Sequence, residues 1–110
     1  GGIKEAVKNV NSYIKEKKLK IGVEVETRSL EEVESLLDCQ GVQRIMLDNM
    51  TNDEMSKAVQ LIGKRMEVEA SGGITLNTIK GVAETGVDFI SVGALTHSYK
   101  SLDLSLIIKM

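Results

Sequence analysis

The fold of this chain is decided by residues 45–73, which read Ile-Met-Leu-Asp-Asn-Met-Thr-Asn-Asp-Glu-Met-Ser-Lys-Ala-Val-Gln-Leu-Ile-Gly-Lys-Arg-Met-Glu-Val-Glu-Ala-Ser-Gly-Gly. The apolar start of this stretch is typical of a buried strand. Thr51 and Glu54, three residues apart, then form the capping box that begins a helix. Apolar residues recur at helical spacing up to Gly63, which predicts the helix end. A second strand over 66–70 follows, so the stretch is one strand-helix-strand unit.

The same unit is repeated on the N-terminal side of this stretch. Residues 3–18 have the apolar spacing of an amphipathic helix, and residues 20–26 alternate as in a strand. Ser29 begins a second capping box, and the helical pattern after it continues to Gly41. Two helices and one strand are therefore predicted before residue 45.

The unit is repeated again on the C-terminal side. A helix is predicted from Thr75 to Gly86, with Leu76 on its apolar side, and a fourth strand over 89–92. The predicted strand ends are spaced 22, 23 and 22 residues apart, at Glu26, Asp48, Ser71 and Gly93. Such regular alternation predicts βαβ crossovers and a parallel sheet.

The two faces of the predicted sheet differ in polarity. Side chains of a strand point alternately to opposite faces, so each strand can be divided by residue parity. One face is wholly apolar and must be covered by helices; its residues are Val23, Val25, Ile45, Leu47, Val68, Ala70, Ile90 and Val92. The other, here called the cavity face, is mostly polar and acidic; it carries Glu24, Glu26, Met46, Asp48, Glu67, Glu69, Ser71, Phe89, Ser91 and Gly93.

This polarity favours a barrel over an open sheet with helices on both sides. A doubly wound sheet needs two apolar faces, whereas a (β/α) barrel encloses its second face. A whole barrel needs about 200 to 250 residues, so four units in 110 residues make about half of one. We therefore predict an α/β fold of one domain, residues 1–110, forming about half of a (β/α) barrel. Residues 102–109 alternate and predict a short C-terminal extra strand.

Composition excludes several classes of protein. A net charge of −2 gives no basic surplus for nucleic acid or for an anionic membrane surface. No apolar run approaches the roughly 18 residues of a membrane span, and the first residues lack a signal sequence. One cysteine and one histidine, Cys39 and His97, cannot supply a usual zinc site. We expect a soluble protein of the cytoplasm, with an organelle such as the plastid as the alternative.

The candidate site lies where barrel active sites lie, at the carboxyl ends of the strands. Glu26 and Asp48 are suited to hold ribose hydroxyls or a Mg²⁺ ion that carries phosphates. Ser71-Gly72-Gly73, placed before a helix, offers backbone N–H groups and a helix dipole to a phosphate, and Gly93-Ala94 follows the next strand. The alternatives are a tight turn for Ser71-Gly72-Gly73 and simple helix capping for Glu26 and Asp48.

Four other residues receive more ordinary interpretations. Glu24 and Glu69 lie deeper on the cavity face, and we expect them to pair with a basic residue elsewhere in a barrel. His97 is interpreted as a structural hydrogen-bonding residue and Cys39 as incidental. No cation is expected on the cavity face of this segment.

Five segments also carry a resemblance to a known family. They are Val23-Glu-Val-Glu26, Ile45-Met-Leu-Asp-Asn-Met50, Glu69-Ala-Ser-Gly-Gly-Ile74, residues 84–98 and Leu102-Asp-Leu-Ser-Leu106. In order and spacing they resemble the C-terminal part of quinolinate phosphoribosyltransferases, the carboxylating nicotinate-nucleotide pyrophosphorylases. A paralogue linked to molybdenum transport shares much of this pattern and is an alternative.

The resemblance implies an activity and an assembly. Such an enzyme converts quinolinate and phosphoribosyl pyrophosphate, with Mg²⁺, to nicotinate mononucleotide, pyrophosphate and CO₂ in NAD synthesis. Its fold is an N-terminal α/β sandwich with an incomplete barrel, and it works as a homo-oligomer. By resemblance, Glu26 and Asp48 are the catalytic and possible metal-binding carboxylates. Ser71, Gly72, Gly73, Gly93 and Ala94 then bind the 5-phosphate.

The resemblance also shows what this segment lacks. The family's cations for quinolinate and pyrophosphate lie upstream of the residues matched here, in the N-terminal part of the enzyme. We therefore expect this chain to be inactive alone and to need that missing part as its partner. A non-catalytic half-barrel that binds phosphate or assembles with itself is the competing hypothesis.

Overall fold

The computed structural model describes residues 2–92 and a short strand near the C-terminus. The helices are α1 (Ile3–Lys17), α2 (Leu30–Leu36), α3 (Asn52–Ile62) and α4 (Ile79–Ala83). The strands are β1 (Val23–Thr27), β2 (Val42–Asp48), β3 (Glu67–Ser71), β4 (Phe89–Ile90) and β5 (Ile107–Ile108). Helices and strands alternate through the first four units, as predicted. Within residues 2–92, no helix is long and apolar enough to cross a membrane.

All the described strands are parallel and form one sheet in the order β4-β3-β2-β1-β5. The predicted partial (β/α) barrel is confirmed. The C-terminal extra strand lies beside β1, where Glu24 pairs with Ile107 and Val25 with Ile108. The rest of the predicted strand, 102–106 and 109, is outside the described residues.

Helix α3 shows why the central unit could be read from the sequence. The Thr51 hydroxyl accepts a hydrogen bond from the Glu54 N–H at 3.1 Å, and the Glu54 carboxylate accepts the Thr51 N–H at 2.9 Å. At the other end Gly63 has φ +58° and donates its N–H to the Val59 carbonyl. Because both ends are satisfied locally, the helix begins and ends where predicted.

Two helices differ from the prediction. Helix α2 ends at Leu36 instead of continuing toward Gly41. Helix α4 begins at Ile79 instead of Thr75, because the Thr78 hydroxyl accepts the Thr75 N–H at 3.0 Å and closes a separate turn first. Leu76 in that turn is 65% exposed, so the prediction that it packs on the core is wrong.

The fourth strand is also shorter than predicted. It comprises Phe89–Ile90, although the Ser91 N–H still donates to the Ala70 carbonyl at 2.9 Å.

The division of the strands into two faces is confirmed on the helix side. Val25, Ile45, Leu47 and Ala70 are fully buried there. The helices add apolar residues to the same core; these include Val33, Leu36, Met55, Ala58 and Ile62. Burial of this layer supplies the main stabilisation of the fold. It also fixes which side chains of each strand point the other way, onto the cavity face.

A register shift at the start of β2 changes what the cavity face carries. Val23 pairs with Val42, but the next residue, Glu24, pairs with Arg44, so Gln43 is an extra residue. The extra residue of a bulge reverses the alternation of side chains, so residues two apart on either side of it point to opposite faces of the sheet. It brings Arg44 onto the cavity face next to Glu24, while Val42 stays buried with the core.

Candidate functional site

The carboxyl ends of β1, β2 and β3 bring together the residues predicted from the sequence. Asp48 pairs in register with Ser71, and Glu26 is paired with Met46 one strand away. Residues paired in register on neighbouring parallel strands point to the same face, and so do residues two apart on one strand. Glu26 and Asp48 are therefore neighbours at the upper edge of the cavity face, beside the loop that begins at Ser71.

Arg28 joins these two carboxylates. Its Nε atom lies 3.2 Å from Asp48 Oδ2, and its Nη2 atom lies 3.1 Å from Glu26 Oε2. The hydrogen bond to Asp48 and the charge of Glu26 raise the pKa of Arg28 above its usual value. Arg28 follows β1 with the same parity as Glu26, so its place on the cavity face could have been read from the sequence.

The loop after β3 packs tightly against the loop after β2. Asn49 has a left-handed φ of +61°, and its N–H donates to the Ser71 carbonyl at 2.8 Å. Gly72 has φ +89°; a Cβ atom there would lie 2.6 Å from Asp48 Oδ1 and 2.8 Å from the Asn49 nitrogen. Only glycine fits this approach. Gly72 thus lets the Ser71-Gly72-Gly73 loop sit directly against Asp48.

Gly73 is less confined than Gly72. It has φ +65°, and among the described residues a Cβ atom there would approach only Asn49 Oδ1, at 3.7 Å. Within residues 2–92, no side chain or carbonyl accepts a hydrogen bond from the N–H of Gly72 or Gly73. These two N–H groups are the donors in this loop that an oxyanion could use.

The predicted contribution of a helix dipole to this loop is wrong. Helix α4 begins at Ile79, six residues after Gly73, and has only five residues. The turn at Thr75 and Thr78 lies between them. Anion binding at Ser71-Gly72-Gly73 therefore has no contribution from the dipole of α4, because the field of a helix end falls off within one turn.

A second arginine lies deeper on the cavity face. Arg44 Nη2 is 3.2 Å from Glu67 Oε1, and Arg44 Nη1 is 3.2 Å from Glu69 Oε1. The guanidinium carbon lies 3.7 Å from the centre of the Phe89 ring. Ser91 donates its hydroxyl to the other oxygen of Glu69. This cluster of Arg44, Glu67, Glu69, Phe89 and Ser91 connects β2, β3 and the end of β4.

The charge state of Arg44 follows from these contacts. Burial lowers its pKa, but the hydrogen bonds to Glu67 and Glu69 outweigh that effect, and the pKa is raised. The prediction that no cation lies on the cavity face is therefore wrong, since both Arg28 and Arg44 are there. The expected partner of Glu69 is present within this chain. The signal that reveals Arg44 is its parity, two residues before Met46.

Gly93, Ala94 and His97 lie outside the described residues. The part of the phosphate site predicted at Gly93 and Ala94 stays a prediction.

Glu26 and Asp48 are the candidate ligands for a magnesium ion in this site. The described residues contain no cluster of three or more metal-binding side chains. Glu26 and Asp48 nevertheless both contact the guanidinium of Arg28, so their oxygens already converge on one cationic group. Mg²⁺ is commonly held by one or two carboxylates together with substrate phosphates. Glu26 and Asp48 therefore fit an ion of that kind.

Taken together, these features define part of a (β/α) barrel with two carboxylates and a glycine loop at the carboxyl ends of its strands. That arrangement can hold the hydroxyls of a sugar with carboxylate oxygens and a phosphate with backbone N–H groups.

Comparison with known proteins gives the family. A family model described as "Quinolinate phosphoribosyl transferase, C-terminal domain" matches residues 1–107. The chain belongs to this family. It is 48% identical to a mitochondrial quinolinate phosphoribosyltransferase [decarboxylating] of Nicotiana tabacum over 96% of this chain and 34% of that protein. It is 49% identical to a chloroplastic nicotinate-nucleotide pyrophosphorylase [carboxylating] of Arabidopsis thaliana, with the same two coverages.

Solved structures agree with the fold. The nicotinate-nucleotide pyrophosphorylase of Ehrlichia chaffeensis superposes with a TM-score of 0.75 at 30% identity, covering 96% of this chain and 36% of that one. The enzyme of Francisella tularensis gives a TM-score of 0.72 at 38% identity, covering 90% and 35%. The chain thus spans about a third of the length of these relatives.

Proposed function

We propose that this chain forms the ribose and phosphate side of a quinolinate phosphoribosyltransferase active site. The reaction would convert quinolinate and phosphoribosyl pyrophosphate to nicotinate mononucleotide, pyrophosphate and CO₂, in NAD synthesis. The observation that carries the proposal is the convergence of Glu26 and Asp48 beside the loop at Gly72. Family membership and the names of the relatives support it.

Each part of the site has a role in this proposal. Glu26 and Asp48 hold the ribose hydroxyls and favour positive charge developing on the sugar ring as the pyrophosphate leaves. The N–H groups of Gly72 and Gly73 and the Ser71 hydroxyl hold the 5-phosphate, together with Gly93 and Ala94. Mg²⁺, held by Asp48 and Glu26, would neutralise charge on the departing pyrophosphate. Holding both ends of the sugar orients its reacting carbon.

Recognition of quinolinate must come from residues other than these. Its two carboxylates need free cations, but both arginines described on the cavity face are already paired with carboxylates of the chain. We propose that the missing cations are supplied by an N-terminal part like that of the longer relatives. The 110-residue chain would then be inactive by itself.

Titration of the 110-residue chain with phosphoribosyl pyrophosphate and Mg²⁺ tests the proposal. We expect binding by calorimetry and NMR, with signals perturbed near Asp48 and Gly72. Asp48→Asn should weaken the binding about tenfold or more, because it removes one charge where metal and hydroxyls bind. Assay of nicotinate mononucleotide should show no turnover.

The matched control is Asp53→Asn, which removes the same charge at an exposed position in the first turn of α3. It should leave the affinity unchanged. Absence of binding by a folded chain would refute the assignment, and turnover by the chain alone would refute the division of roles.

Self-association is the second part of the proposal. The described sheet ends in two short strands, β4 and β5, and Phe89 on β4 is 40% exposed. Open parallel edges and exposed apolar side chains favour pairing with another chain. We expect light scattering to give the mass of a dimer or larger species. A monomer across a wide concentration range would contradict this.

The alternatives are less well supported. The relatives described above are named as quinolinate phosphoribosyltransferases or nicotinate-nucleotide pyrophosphorylases, which gives the molybdenum-transport paralogue no support. The cytoplasmic location stays a prediction. Relatives named as mitochondrial and chloroplastic support its organellar alternative.

A further inference from the structure

We propose that Arg28 competes with a divalent cation for the position between Glu26 and Asp48, and so sets the affinity of that position for metal. The inference rests on the proposed function, which places Mg²⁺ at these two carboxylates. It assigns a positioning role to a residue outside the predicted site.

The geometry makes the two occupants mutually exclusive. Two nitrogens of the planar Arg28 guanidinium make the contacts. Nε lies 3.2 Å from Asp48 Oδ2, and Nη2 lies 3.1 Å from Glu26 Oε2. A metal ion bound by both carboxylates needs oxygens turned toward the same point. The guanidinium already contacts both Asp48 Oδ2 and Glu26 Oε2, so a metal ion bound by the same two oxygens would displace Arg28.

The burial of the three side chains decides which of them moves. The Arg28 side chain is 72% exposed, whereas those of Glu26 and Asp48 are 9% and 23% exposed. An exposed guanidinium regains water when it leaves, so its departure costs little. The two carboxylates are held by the sheet and stay in place.

The backbone of Arg28 is held in place by a hydrogen bond, whereas its guanidinium group is exposed to solvent. The Arg28 N–H donates to Glu32 Oε1 at 2.7 Å, and Glu32 is held at the start of α2 by the Ser29 hydroxyl. The side chain can therefore leave and return without disturbing the end of β1.

The Arg44 guanidinium cannot leave its carboxylates in the same way. Its side chain is 21% exposed and is bound to Glu67 and Glu69. Of the two described arginines on the cavity face, Arg28 alone combines exposure with contact to the strand-end carboxylates.

The test is Mn²⁺ binding by the 110-residue chain, followed by electron paramagnetic resonance of the free ion. Arg28→Gln removes the competing charge, so we expect the dissociation constant for Mn²⁺ to fall about fivefold to tenfold. The double variant Arg28→Gln with Asp48→Asn should lose this gain. Lys57→Gln, which removes an equal charge from an exposed position of α3, is the control and should have little effect.

The outcomes are distinguishable. An unchanged affinity in Arg28→Gln, or an equal gain in Lys57→Gln, overturns the role of Arg28. If phosphoribosyl pyrophosphate still binds and Asp48→Asn still weakens it, the proposed function survives that result. If this binding is also absent, the proposed function fails as well.

Discussion

Replacement of Gly72 by alanine is expected to destabilise the chain by about 3 kcal/mol, because two penalties add. The residue has φ +89°, where an L side chain is strained, and its new Cβ would lie 2.8 Å from the Asn49 nitrogen. That nitrogen cannot retreat easily, since its hydrogen is bonded to the Ser71 carbonyl. Urea unfolding followed by circular dichroism measures the effect.

Gly73→Ala is the matched control for this variant. Gly73 also has a positive φ, of +65°, but a Cβ atom there lies no closer than 3.7 Å to any atom in the described part of the chain. Only the backbone strain remains, so we expect a loss of about 1 kcal/mol. Equal losses in the two variants would show that the loop does not pack against Asp48 and Asn49 as described.

Replacement of Arg44 by methionine is expected to cost about 3 kcal/mol of unfolding free energy, because it leaves a poorly hydrated carboxylate without its cation. The Glu69 side chain is 9% exposed, and it cannot turn fully to water. The variant also loses the contact of the guanidinium with the Phe89 ring. Chemical unfolding measures the loss.

Two further variants make this test specific. Adding Glu69→Gln to Arg44→Met removes the unpaired charge while keeping an acceptor for the Ser91 hydroxyl, and it should restore part of the stability. Lys57→Gln, which removes a cation from an exposed position of α3, should leave the unfolding midpoint almost unchanged. Arg44→Met with wild-type stability would rule out a structural role for the cluster around Arg44.

The parts of the fold that the sequence predicted correctly are those specified by local chemistry. Thr51, Glu54 and Gly63 satisfy the ends of α3 with groups a few residues away. The helix-covered face follows from the alternation of apolar and polar residues along the strands, because alternate side chains are buried under the helices. The placement of Glu26 and Asp48 follows from the same alternation.

The parts that were missed depend on competition between local and distant groups. Thr75 to Thr78 has helical spacing, but a threonine hydroxyl takes the backbone N–H and delays α4. The bulge at Gln43 depends on how β2 pairs with β1, which no single strand specifies. Arg28 and Arg44 have the parity of the cavity face, but their ion pairs form only when the strands lie side by side.

The position of β5 has a consequence for how this chain folds. Three of the pairings, β1 with β2, β2 with β3 and β3 with β4, join consecutive strands, whereas Glu24 in β1 pairs with Ile107 near the other end of the chain. Closing a longer loop costs more entropy, so the consecutive pairings form first and the β1 to β5 pairing forms last. During synthesis on the ribosome, β1 therefore lacks its β5 neighbour until residues 107 and 108 have emerged, and an unpaired strand edge in that period favours aggregation of the nascent chain.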